Sequence, residues 1–211
     1  MTPTSDPRTW RIGTANPSRV IAVLHGVGDS AQGLEPVGDY LAAQLPDTAV
    51  LMLDGHEVWD GGAPGRQWFS LTGVTEANRI ERVAAALPLL WTRLDALVAQ
   101  EGLTSAELIL FGFSQGAMMT LSSAVTGRTF AAGLAFSGRL AAPVKPPVAG
   151  SPRLFITHGL QDTIVPAADG DRAARELTVA GYKVTYGTVA GLGHTIVLPQ
   201  LEAAVKFIKA G

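Results

Sequence analysis

Short apolar runs alternate along this chain with longer segments in which apolar residues recur at helical spacing. The runs are Val20–Leu24, Ala49–Leu53, Leu108–Phe111, Ala131–Phe136, Arg153–Thr157 and Lys183–Val189. Runs of this length bounded by turn residues predict buried strands. The 3.6-residue period predicts helices over Glu35–Leu45, Thr75–Gln100, Gln115–Val125, Ala167–Ala180 and Ile196–Ala210, with Pro88 expected to kink or divide the second. Apolar strands separated by amphipathic helices imply an α/β architecture, a mostly parallel sheet with helices on both faces. In such sheets sites form beyond the carboxyl ends of the strands. The polar residues that follow strands are therefore the ones to weigh: His25, Asp54, Ser114, Ser137, Asp162 and His194.

Composition narrows the chemistry. The 211 residues fit one domain spanning 1–211, with no internal repeat or low-complexity tract, and Pro143–Pro152 reads as a long surface loop. The 24 glycines predict many tight turns, and a Gly-rich, aromatic loop runs from His56 to Leu71. A net charge of -2 without a Lys/Arg run excludes a nucleic-acid partner and favours a small-molecule one. Cysteine is absent, which excludes a disulfide framework, a thiolate metal cage and a cysteine nucleophile. The four histidines lack H-E-x-x-H or comparable ligand spacing, so no metal is expected. Met1–Arg11 lacks the apolar core of a signal peptide, and no stretch reads as the ~18 to 20 apolar residues of a bilayer span. No stable membrane insertion is expected, and a cytoplasmic location is the default.

Gly112-Phe113-Ser114-Gln115-Gly116 lies between a predicted strand and a predicted helix, the context of a G-x-S-x-G nucleophile elbow. A strand turning at once into a helix crowds backbones together, so glycines are needed there while the serine is forced outward. As a bare string the pattern is common in a Gly-rich chain; its placement makes it informative. A serine hydroxyl needs a base, and the base needs an orienting acid. His194, in a turn-rich loop between the last strand and the last helix, is the candidate base, and Asp162, after the fifth strand, the candidate acid. His25 and His158 sit directly at strand ends before Gly, where structural hydrogen bonding is expected, and His56 precedes the serine. Asp169 and Asp171 read as helical, and Asp54 precedes the serine. The order Ser, Asp, His is that of α/β-hydrolases. Oxyanion donors are expected from the backbone N–H of Gln115 and of Val27, the latter in the glycine-flanked segment Leu24–Asp29. Trp59, Trp68 and Phe69 either line an acyl site or pack against the sheet edge, and both readings stay open.

These segments together resemble the phospholipase/carboxylesterase family, which includes small bacterial carboxylesterases and the acyl-protein thioesterases. The carriers are Leu24–Asp29, Gly65-Arg-Gln-Trp-Phe69, Gly112–Ala117, His158–Asp162 with Val165-Pro166, and Gly193-His194, and the resemblance runs from about Val20 to the end. It implies a single-domain α/β-hydrolase fold and a lightly covered site, with Ser114, Asp162 and His194 as triad and the Val27 and Gln115 amides as oxyanion hole. It further implies hydrolysis of carboxylic esters through an acyl-enzyme, without a cofactor. A thioester or lysophospholipid substrate suits the same triad. A scaffold that lost catalysis is set against the intact Ser, Asp, His order. A homodimer is compatible with the resemblance. One departure is Ser70, where relatives commonly carry Asp.

Overall fold

All six predicted strands pair side by side in a single eight-stranded sheet. The computed structural model describes residues 1–211, with every side chain except that of Pro3. In chain order the elements begin with β1 (Thr2–Pro3), β2 (Thr9–Gly13), β3 (Arg19–Leu24), α1 (Glu35–Gln44) and β4 (Thr48–Leu53). A two-stranded ribbon of β5 (Glu57–Val58) and β6 (Arg66–Gln67) follows, then α2 (Glu76–Gln100), β7 (Leu108–Phe113), α3 (Gln115–Ala124) and β8 (Ala132–Phe136). The chain closes with β9 (Arg153–Gly159), α4 (Ala167–Ala180), β10 (Val184–Val189) and α5 (Leu198–Lys209).

The sheet order is β1-β2-β4-β3-β7-β8-β9-β10, parallel from β4 to β10. From β3 the chain first goes outward to β4 and later returns to β7 on the other side. This reversal opens a crevice between the loops that follow β3 and β7. Alternate strand residues feed two cores. Val20, Ala22 and Leu24 meet α2, α3 and α4 on one face, while Ile21 and Val23 meet α1 and α5 on the other.

Several elements differ from the periodicity. β1 and β2 add an antiparallel edge, β2 pairing with β4 from Thr9↔Leu53 to Gly13↔Ala49. Arg93 of α2 holds this edge down, binding Asp6, the carbonyls of Arg8 and Asp54, and the Thr9 hydroxyl. Pro88 does not divide α2. Ala84, whose carbonyl loses its partner to Pro88, is exposed, as is Pro88, so water can serve that carbonyl. Leu87, Leu90, Trp91 and Leu94 on the opposite stripe are buried. Their burial, about 1.5–3 kcal/mol for each large side chain, outweighs the proline's penalty of about 3 kcal/mol.

By length and composition α2 could cross a bilayer, contrary to the sequence expectation, but in this fold it is a core helix with its apolar stripe against the sheet. Finally, α5 starts at Leu198 rather than Ile196, because Pro199 occupies its first turn and Gln200 turns back to accept from the Val197 N–H.

Candidate active site

Ser114 stands where β7 breaks into α3, at φ 54°, a left-handed conformation that an L-residue adopts only under constraint. The constraint is visible on both sides. A Cβ on Gly112 would fall 2.6 Å from the Ala117 nitrogen, and one on Gly116 would fall 2.9 Å from the His25 carbonyl oxygen. Only glycines let β7, α3 and the end of β3 approach so closely. The Ser114 N–H donates to the Phe136 carbonyl at 2.9 Å, tying the elbow to β8.

The predicted triad residues converge from three strand ends. His194 Nε2 is 2.9 Å from Ser114 Oγ, and His194 Nδ1 is 2.6 Å from Asp162 Oδ2. Asp162 Oδ1 accepts from the backbone N–H of Ile164 and of Val165, each at 2.9 Å. Burial alone would raise the Asp162 pKa. The His194 hydrogen bond and the two amides outweigh it and hold the carboxyl below the usual carboxylate range. An ionised Asp162 accepts from Nδ1–H, which leaves Nε2 as the acceptor facing the serine hydroxyl. Phe113 packs on the His194 ring, centroids 4.9 Å apart, and limits its rotation.

The loop after β3 lies beside the nucleophile, since a Cβ on Gly26 would fall 3.3 Å from Ser114 Cβ. Among the described residues neither the Val27 nor the Gln115 N–H has a protein acceptor, as an oxyanion site requires. Three contacts fix this loop. Gly28 N–H donates to the Arg66 carbonyl and Arg66 N–H to the Asp29 carbonyl, both at 2.8 Å. Trp68 Nε1–H donates to the His25 carbonyl at 2.9 Å. His25 itself accepts from Gly55 N–H through Nε2 and donates from Nδ1 to the Gly26 carbonyl. Burial pushes its pKa down, so it stays neutral and structural, the role its place in the sequence suggests. Asp54 also has a structural task, accepting from the Ala31 N–H at 2.7 Å.

The aromatic candidates separate. Trp68 is fully buried and Phe69 nearly so, with the backbone of this pair clamped by the Gln115 side chain. Gln115 Oε1 accepts from Trp68 N–H at 2.8 Å, and its Nε2 donates to the Phe69 carbonyl at 2.7 Å. Trp59 is 39% exposed and its indole lies 3.2 Å from where a Gly28 Cβ would be, at the rim of the candidate oxyanion loop. Gln115→Ala is expected to leave two buried backbone groups unpaired, lowering stability by about 1–3 kcal/mol in urea unfolding. An unchanged midpoint would show that the clamp is dispensable.

Sequence reasoning missed Asp60. Its Oδ2 accepts from the Ser70 hydroxyl at 2.7 Å and from the Leu71 and Thr72 N–H groups, while Oδ1 accepts from Gln67 Nε2 at 2.9 Å. These bonds hold its carboxyl well below the usual range, Ser70 being the largest cause. Ser70 thus acts as a donor to a carboxylate ten residues back, and the loop closes without an Asp at position 70. The only hint in the sequence is an Asp among glycines. No group of three or more His, Asp or Glu side chains able to hold a metal occurs among the described residues.

A family model described as Phospholipase/Carboxylesterase matches residues 12–211. Esterase YpfH of Escherichia coli (strain K12) is 32% identical over 192 residues, covering 90% of this chain and 82% of that protein. Acyl-protein thioesterase 1 of Kluyveromyces lactis is 26% identical over 216 residues, covering 92% of each. Among solved structures, esterase PE8 superposes with a TM-score of 0.87 at 30% identity, covering 95% of this chain and 96% of that one.

Proposed function

Since the chain belongs to the phospholipase/carboxylesterase family and is a carboxylic-ester hydrolase of the α/β-hydrolase fold, we propose that Ser114, His194 and Asp162 perform the hydrolysis. The observation that carries this reading is the continuous chain Ser114 Oγ, His194 Nε2, His194 Nδ1, Asp162 Oδ2, with links of 2.9 and 2.6 Å. Ser114 Oγ attacks the ester carbonyl carbon as its proton passes to His194 Nε2. The Val27 and Gln115 amides receive the negative charge that develops on the carbonyl oxygen. Collapse breaks the bond to the leaving alcohol, which takes the proton from Nε2 and leaves an acyl-serine. Water, deprotonated by the same nitrogen, then releases the acid and restores Ser114.

Each step uses only this chain's side chains and amides. Chelation with EDTA is accordingly expected to leave the rate unchanged, and a loss restored by a divalent ion would overturn the scheme. Trp59 is the aromatic side chain we assign to the acyl group or leaving group, because it is exposed at the rim where Trp68 is enclosed. Thioesters are a second substrate class, favoured by the similarity to acyl-protein thioesterase 1. We further propose a cytoplasmic location, on the cysteine-free composition.

A fluorophosphonate probe followed by peptide mapping tests the nucleophile. Label on Ser114 is the expected result, and label elsewhere or nowhere overturns the assignment. A series of p-nitrophenyl esters and matched thioesters of rising chain length then ranks the acyl groups by kcat/KM.

A further inference from the structure

His158 is a fully buried imidazole in β9 that the reaction scheme does not use. Its Nε2 is 2.8 Å from the Val165 carbonyl oxygen and must donate there, since a carbonyl only accepts. The same Val165 gives its N–H to Asp162 Oδ1. Val165 is therefore held at both ends, by the histidine through its C=O and by the catalytic carboxylate through its N–H. His158 Nε2 also lies 3.4 Å from Asp162 Oδ2, the oxygen that faces His194. Its N–H is aimed at Val165, but the positive end of that dipole remains beside Oδ2. Asp162 Oδ2 thus has a proton-bearing ring nitrogen on two sides, one from His194 and one from His158.

The other ring nitrogen is instructive. His158 Nδ1 is buried and has no hydrogen-bond partner, and Gly170 of α4 lies against it so closely that a Cβ there would fall 2.5 Å away. A site that needed only filling would be better served by an apolar side chain, which leaves no orphaned nitrogen. The useful atom is Nε2. We propose that His158 is a positioning residue of the triad, locking the 162–165 turn and the orientation of the Asp162 carboxylate toward His194. This rests on the triad reading above and adds a fourth side chain to it.

The test compares His158→Gln with His158→Met, two side chains of similar length of which only the amide can donate to Val165. Sites are counted with the fluorophosphonate probe so that kcat refers to competent enzyme. The expected result is a fall in kcat per labelled site of about 10- to 100-fold for the Met variant, as for a misplacement of order 1 Å, with KM within about twofold. The Gln variant recovers most of that loss. A packing role predicts the reverse, because the apolar Met suits a buried site at least as well as the amide. Equal kcat values for the two variants, or a better Met variant, overturn the proposal.

Should the Met variant fail to fold, the wild-type proton NMR spectrum decides. The His158 Nε2–H and His194 Nδ1–H resonances are expected to shift together when Ser114 is phosphonylated, and a His158 resonance that stays fixed overturns the proposal. Failure of the probe to label Ser114 in the wild type would instead remove the triad reading itself.

Discussion

Replacing Ser114 by alanine is expected to lower ester hydrolysis by on the order of 10⁴- to 10⁶-fold while the protein keeps its fold. The whole covalent route depends on one oxygen, and no other hydroxyl lies within hydrogen-bond reach of His194 Nε2 among the described residues. The residual rate would come from oxyanion donors acting on water attack, which is why the loss is large but finite. The fold should survive because the Ser114 hydroxyl caps no helix N–H, and the elbow is held by the Ser114 N–H to Phe136 bond and by Gly112 and Gly116. Purified Ser114→Ala with an unchanged melting temperature and more than a few per cent of wild-type kcat would end the assignment.

Asp162→Asn is the second large effect, expected at roughly four orders of magnitude in kcat. The geometry dictates which way the new amide points. Oδ1 faces the N–H groups of Ile164 and Val165, so the amide oxygen must take that place and the NH₂ group must take the place of Oδ2. There it donates to His194 Nδ1, which forces the ring proton onto Nε2, facing the serine as a donor where it should accept.

The controls are Asp169→Asn and Asp171→Asn. Asp169 pairs with Arg139 at 3.0 Å and with Arg172, and Asp171 pairs with Arg175, one helical turn on. Neither carboxylate touches His194. Loss of the exposed Asp171 pair is expected to cost at most about 1 kcal/mol of stability, and kcat should change little in either control. A crippled control beside a near-normal Asp162→Asn would identify a different acid.

The pH dependence of stability follows from the same geometry. Against the opposing effect of burial, Asp162 is held below the usual carboxylate range by its hydrogen bonds to His194, Val165 and Ile164. Its contribution to stability has the sign of a depressed carboxyl: fully present above the ordinary carboxylate range, lost as pH falls through the lowered value. The stability difference between wild type and Asp162→Asn, followed by urea unfolding against pH, should therefore be largest above the ordinary carboxylate range and shrink as pH falls through the lowered value, and a difference independent of pH would contradict it.

What the amino-acid sequence determined by itself is whatever its neighbouring residues encode. Five apolar runs became β3, β4, β7, β8 and β9, because burial on both faces leaves a continuous local signature. The order Ser114, Asp162, His194 and the glycines around the serine were legible for the same reason, each following a strand. The sixth run, expected to be buried as well, became β10, an edge strand with no buried residue, in which only alternate side chains such as Val184 and Tyr186 pack against the core. Only the tertiary structure decided the rest. β1 and β2 are short, and they exist as strands because β2 pairs with β4 and is held by Arg93, some eighty residues away, while β1 pairs with β2. Trp68 could have faced substrate or core until Gln115 and the His25 carbonyl claimed its backbone and indole N–H groups. Asp60 gains its five contacts only when the loop from Gln67 to Thr72 folds back over it. Periodicity records which side of an element is buried, but a hydrogen bond across many residues depends on where the closed chain brings its ends, and no local pattern carries that.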